Sequence, residues 1–140
     1  MAPQRLTVLL ANEQEGWHQT VRGLLEPQGV RTVSVRSGRE VLDAIEHAAA
    51  DPIHVPIHVA VLDAQMPQLG GMAVVKMMQQ RAGSPPAILL ADQLSNSLMQ
   101  EALALKVFSV LSKPVDFNVL LDALARVVKR HYKGNWPTQT

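Results

Sequence analysis

No cysteine occurs in the 140 residues, which excludes a disulfide framework and any thiolate metal site. A strong charge of either sign is also missing. Thirteen Lys and Arg stand against 12 Asp and Glu, a formal net charge of +1, so no field draws the chain to nucleic acid or an anionic membrane. No helix-turn-helix segment strengthens a case for DNA. No apolar run approaches the roughly 20 residues of a membrane span. The N-terminus carries Arg5 but lacks an apolar stretch followed by a small-residue cleavage site. Also absent are a Gly-rich phosphate loop after the first apolar run and any Ser-His or Cys-His arrangement for nucleophilic catalysis. What is present, 47% hydrophobic and 18% charged residues, is the balance of one folded domain with one core, and a cytoplasmic protein is the expectation.

Along the chain, short apolar runs alternate with longer amphipathic segments, the signature of repeated βα units. Residues 6–11 predict a buried first strand. Trp17, Val21, Leu24 and Leu25 then mark one face of a helix that Pro27 and Gly29 end. Residues 31–35 alternate as a second strand, and Ser37 with Glu40 has the spacing of a capping box, opening a helix with Val41, Leu42 and Ile45 inward. Residues 48–56, with two prolines, read as a loop, and 58–62 as a third strand. A helix is predicted over 70–81 with Ala73, Val74, Met77 and Met78 inward, then a fourth strand over 87–91 introduced by Pro85-Pro86. A helix beginning at Ser95 or Ser97 presents Leu98, Ala102 and Leu105, and residues 107–111 form a fifth strand. The last helix has Asp116 as N-cap and the cleanest period, at Val119, Leu120, Ala123, Leu124, Val127 and Val128. Five such units predict an α/β, flavodoxin-like doubly wound (βα)5 domain over residues 1–133. Its five-stranded parallel sheet has the order 2-1-3-4-5, and a polar, frayed tail follows at 134–140.

Three short stretches follow strand-like runs: Asn12-Glu13, Asp63 to Pro67, and Lys113-Pro114. In a parallel α/β sheet, residues just past the carboxyl ends of strands converge on one crevice at the switch point, here between strands one and three. Two carboxylates, a carboxamide and an ammonium meeting there suit a divalent metal and a phosphoryl group.

In these motifs, Val61-Leu62-Asp63-Ala64-Gln65-Met66-Pro67 with Gly70-Gly71, and Leu111-Ser112-Lys113-Pro114, the chain resembles the receiver domain of two-component response regulators, the family of the single-domain chemotaxis regulator. The resemblance runs from Leu6 to about Arg130. It implies that Asp63 accepts a phosphoryl group from a histidine kinase or phosphotransfer protein and that Lys113 is its charge partner. It implies Mg2+ as cofactor, held by Glu13 and Asp63, by Asn12 weakly or through water, and by the backbone carbonyl of Gln65. It further implies a cis peptide before Pro114 and signalling by docking to a downstream partner or an output domain. A receiver is a phosphoacceptor with slow self-hydrolysis, not a turnover enzyme. The chemistry asks for a carboxylate nucleophile, oxygen ligands and a compact positive charge.

Three positions depart from the family pattern. Asn12 stands where the family has an acid, and is read equally as a ligand through its oxygen or as the cap of the following turn. The family's switch hydroxyl falls on Ala91, and its switch aromatic on Val110. Asp92, next to Ala91, has two opposed readings: it repels a phosphoryl group, or it lends the charge missing at Asn12. If phosphorylation works, the loop at 65–71 is the expected route for the signal, with Gly70-Gly71 permitting backbone rearrangement.

The repeat Pro52-Ile-His54-Val-Pro56-Ile-His58, with His47 nearby, invites a metal reading. The prolines forbid a helix, and an extended strand holds the two histidines too far apart for one ion. Met66, Met72, Met77 and Met78 read as filling core gaps or lining a packing face. The basic cluster Arg126, Lys129, Arg130, His131 and Lys133 complements a helix C-terminus. The leading reading is a receiver. The alternative is a pseudo-receiver, an interaction module without phosphate-dependent switching, favoured by Ala91 and Val110. An enzyme on the same scaffold finds no supporting residues.

Overall fold

The computed structural model describes residues 6–50 and 56–132. The tail at 134–140 and the Pro52 and His54 positions of the histidine repeat lie outside them. Five strands, β1 (Thr7–Ala11), β2 (Arg31–Val35), β3 (Val59–Asp63), β4 (Ala87–Ala91) and β5 (Ser109–Ser112), alternate with five helices, α1 (Glu15–Leu25), α2 (Gly38–Ala50), α3 (Gly71–Met78), α4 (Asn96–Ala104) and α5 (Phe117–Tyr132). All strand pairings are parallel and the order is β2-β1-β3-β4-β5, the flavodoxin-like arrangement expected.

The apolar runs are continuous because both faces of the sheet are covered. Val8, Leu10, Val59, Val61, Ile88 and Leu90 point to one side, where Val21 and Leu25 of α1 and Leu120, Leu124 and Val127 of α5 close over them. The alternate residues Leu9, Ala60, Leu62 and Leu89 face α2 and α3 through Val41, Ile45, Val74 and Met78. The three central strands β1, β3 and β4 are buried along their whole length, so their ends are held in fixed positions relative to one another.

Helix starts follow local chemistry. Ser37 Oγ accepts the Glu40 N–H (3.2 Å), while the Glu40 carboxylate reaches the Arg36 N–H, one residue earlier than a standard capping box. Ser95 Oγ accepts from Leu98 N–H at 3.1 Å, and Asp116 Oδ1 from Asn118 N–H at 2.8 Å.

Several expectations are corrected. Alanines 48–50 extend α2 into the segment read as loop, since alanine is the strongest helix former. The helix read over 70–81 ends at Met78. Leu24, Met77 and Val119 are turned outward at 37%, 42% and 45% exposure, while His18, absent from the expected core, is 1% exposed. Helix α1 buries His18, Val21 and Leu25 at i, i+3 and i+7, with Trp17 partly buried beside them, a face rotated from the one that Leu24 suggested. Among the described residues, no helix is long and apolar enough to cross a membrane.

Candidate phosphoacceptor site

Parallel pairing in register sets the site. β1 pairs Ala11 with Leu62 of β3, so Asn12 and Asp63, each one residue further on, emerge side by side. Leu90 pairs with Asp63 on the other side, and Ala91 with Ser112, which places Lys113 one residue past the end of β5. The Lys113 N–H is tied to the Ala91 carbonyl (2.8 Å), and the Lys113-Pro114 peptide is cis.

Lys113 Nζ lies 3.0 Å from Asp63 Oδ1 and 2.9 Å from Oδ2. The Asp63 carboxylate also accepts the Gln65 N–H on Oδ1 (2.9 Å) and Asn12 Nδ2 on Oδ2 (3.0 Å). Asp63 and Asn12 are each 4% exposed. Burial of an ionised carboxylate is costly unless it is paired and hydrogen-bonded, and here it is both. Asp92, largely exposed, stands 3.6 Å from Lys113 Nζ, so one ammonium serves two carboxylates. A cleft of about 390 Å³ opens over this group, floored by Asn12, Asp63, Asp92 and Lys113 and walled by Trp17, Pro114, Val115 and Phe117.

The loop after β3 returns closely over the site. A Cβ on Gly71 would lie 2.5 Å from the Asp63 carbonyl oxygen and 2.7 Å from Leu89 Cδ1, and one on Gly70 would lie 2.7 Å from the Ala64 carbonyl oxygen. Gly71 N–H donates to that Ala64 oxygen at 3.0 Å. Gly70 has φ −71°, an ordinary value. At both positions the absent Cβ permits close approach to the chain just after β3.

Of the expected site residues, Asn12, Asp63 and Lys113 are brought together. Glu13 is exposed and is not among the residues lining the cleft, and Gln65 contributes its N–H to Asp63. Asn12 combines the two roles left open in an unforeseen way. Its Oδ1 caps the turn by accepting the Gln14 N–H (2.9 Å), so the NH2 is what faces Asp63. Because a backbone N–H can only donate, the amide cannot be turned round without losing both bonds. Its oxygen therefore faces away from Asp63. Ala91 is buried and Val110 half-buried, as small and apolar positions in a sheet should be.

Receiver domains usually hold Mg2+ in an acidic pocket. Magnesium takes about six oxygens at close range. Among the described residues, no three His, Cys, Asp or Glu side chains gather around one point. A carboxylate offers about four lone-pair positions. On Asp63, N–H donors make one contact from Asn12, one from Gln65 and two from Lys113. The donor set does not fit the cation.

Sequence reasoning missed His18. Its Nε2–H donates to the Asn12 carbonyl at 2.7 Å, and its ring meets Trp17 edge-on. Its spacing from Val21 and Leu25 was the available signal. At the opposite end of the sheet, His58 Nδ1 accepts the Thr7 N–H (3.0 Å).

A doubly wound parallel sheet with a buried acid and a lysine converging past its strand ends defines a class of α/β modules whose site lies at the switch-point crevice. Within it, the response regulator receiver domain model matches residues 8–125, and the chain belongs to that family. Response regulator RR06 of Streptococcus pneumoniae is 25% identical over 129 residues, 91% of this chain and 55% of the relative, so the chain spans about half of that protein's length. The receiver domain of an HD domain-containing protein from Pseudomonas fluorescens superposes with a TM-score of 0.79 at 24% identity, covering 94% of this chain and all of that one. The receiver domain of the Francisella response regulator 1452 gives 0.79 at 25% identity, with coverage of 90% and 98%. As a receiver domain the chain is a signalling module of two-component systems.

Proposed function

We propose that this chain receives a phosphoryl group on Asp63 in a cytoplasmic two-component phosphorelay and signals by a change in docking to a downstream partner. The observation that carries this reading is the Asp63 carboxylate on the floor of an open cleft with Lys113 Nζ on both its oxygens. An oxygen of Asp63 attacks the phosphorus of the donor and an O–P bond forms as the P–N bond to the donor histidine breaks. The bonding pair goes to the histidine nitrogen, which is reprotonated. Lys113 stays with the phosphoryl oxygens as their charge partner. Water later attacks the phosphorus, the O–P bond to Asp63 breaks, and inorganic phosphate leaves with the carboxylate restored, slowly and without an external substrate. The donor is a histidine kinase or phosphotransfer protein, and the downstream partner is a separate protein or a further segment of a longer chain.

The second reading, a pseudo-receiver without a phosphate-dependent switch, is favoured by Ala91 and Val110, which offer neither hydroxyl nor aromatic ring. The test is intact mass after incubation with acetyl phosphate in Mg2+ buffer, with Asp63→Asn as control. A single phosphoryl adduct that the variant lacks is the expected result. No adduct on folded wild-type protein would replace the phosphoacceptor reading with the pseudo-receiver.

A further inference from the structure

The four donor contacts on the Asp63 carboxylate carry a second conclusion, which goes beyond the phosphoacceptor reading because it concerns the resting site and holds whether or not Asp63 is ever phosphorylated. Asn12 is fixed at every polar atom. Its N–H donates to Val35 O (3.2 Å), its C=O accepts from the buried His18 Nε2 (2.7 Å), its Oδ1 accepts from Gln14 N–H (2.9 Å), and its Nδ2 donates to Asp63 Oδ2 (3.0 Å). Presenting an oxygen to a cation at this spot requires rotating the amide, which gives up two hydrogen bonds in a place 4% exposed and turns one carbonyl dipole against a carboxylate.

We propose that Asn12 is a resident hydrogen-bond donor that takes the place of a metal ion at the acceptor carboxylate, so that the resting site is complete, and the fold indifferent, without Mg2+. The electrostatics support this. An aspartate at position 12 would set a second carboxylate about 3 Å from Asp63, with Lys113 already shared between Asp63 and Asp92. Such a site needs a cation to be stable. With the carboxamide, Asp63 has one full positive charge and two neutral donors, which is enough to satisfy its oxygens and too few vacant oxygens to hold a hard ion.

The test uses the full chain as wild type, Asn12→Asp and Asn12→Ala, with melting temperatures in EDTA and in millimolar Mg2+, and calorimetric titration of Mg2+ into the wild type and Asn12→Asp. The wild type should melt at the same temperature in both buffers and give no saturable heat. Asn12→Asp should melt lower than wild type in EDTA and recover with Mg2+, binding the ion at least about tenfold more tightly than wild type. Asn12→Ala should be destabilised in both buffers, with no rescue by the ion, which separates loss of a donor from creation of a metal site. A wild-type melting temperature that climbs with Mg2+, or an Asn12→Asp protein as stable as wild type in EDTA, would overturn the proposal. If Asn12→Asp does not fold in either buffer, the wild-type titration decides: saturable binding overturns it and none supports it. The acetyl phosphate experiment is read separately, so a failure of phosphorylation leaves this result standing.

Discussion

Lys113 is the residue on which the site's charge balance turns. Its ammonium touches both oxygens of Asp63 and lies 3.6 Å from Asp92, with the side chain 23% exposed. Replacing it by Met keeps most of the stem and removes the charge, leaving Asp63 with only Asn12 Nδ2 and the Gln65 N–H. Loss of a charge-assisted bond to a buried carboxylate should lower stability by about 1–3 kcal/mol, read from the urea midpoint of Lys113→Met. Asp92→Asn should change the same midpoint far less, since its carboxylate is more than half exposed and its interaction with Lys113 is solvent-screened. Asp63 and Lys113 were legible in the sequence because each stands directly after an apolar strand, where the fold puts site residues whatever their neighbours are. The orientation of the Asn12 amide was not legible, because it depends on Gln14 and Asp63 competing for its two ends.

At the scale of elements, β3 and the loop that follows it carry the densest set of constraints. Gly71 opens α3 with its α-carbon pressed between the Asp63 carbonyl and the Leu89 side chain. Gly71→Ala should therefore cost about 1–3 kcal/mol through backbone displacement, although alanine is the better helix former. A thermal melt of Gly71→Ala beside Gly23→Ala checks this, because a Cβ at Gly23, within α1, meets nothing within 4 Å and should be neutral or stabilising. The helical periods in the sequence found α1 and α5 but misplaced part of their faces. Leu24 gave way to His18 because the helix packs with its i, i+3, i+7 row toward the sheet, with Trp17 partly buried against the same core, and a histidine is tolerated there once its ring finds the Asn12 carbonyl. Helix α4 contributes only Ala102 to the fully buried set, with Leu103 at 79% exposure.

At the scale of the whole molecule, the two ends of the sheet do different things. The carboxyl end gathers the acid, the amide and the lysine. At the amino end, His58 takes the Thr7 N–H on Nδ1, and the Tyr132 hydroxyl at the close of α5 donates to the His58 carbonyl at 2.6 Å with the rings edge to face. Burial pushes the His58 imidazole below the usual histidine range and the Tyr132 phenol above its own. A histidine whose pKa is lowered by folding binds fewer protons folded than unfolded, so stability is fully present above the unfolded value and is lost as pH falls from there through the lower folded one. The melting temperature should decline as pH drops from about 7 to about 5, and His58→Asn, which keeps an acceptor for Thr7 and cannot titrate, should show a shallower decline.

The sequence by itself determined the number and order of the βα units, the parallel sheet and the meeting of Asp63 with Lys113. These follow from short-range signals: continuous apolar runs, caps at Ser95 and Asp116, and residues set at strand ends. Only the tertiary structure decided which way Asn12 faces, that His18 is buried while Leu24 is not, that Glu13 stands apart from the cleft, and that Gly70 and Gly71 are needed for close packing. Each of these depends on a partner brought near by folding. Asn12 Nδ2 meets a carboxylate 51 residues away, and Gly71 meets a leucine side chain on the neighbouring strand. A local pattern carries no information about such a partner until the sheet is assembled.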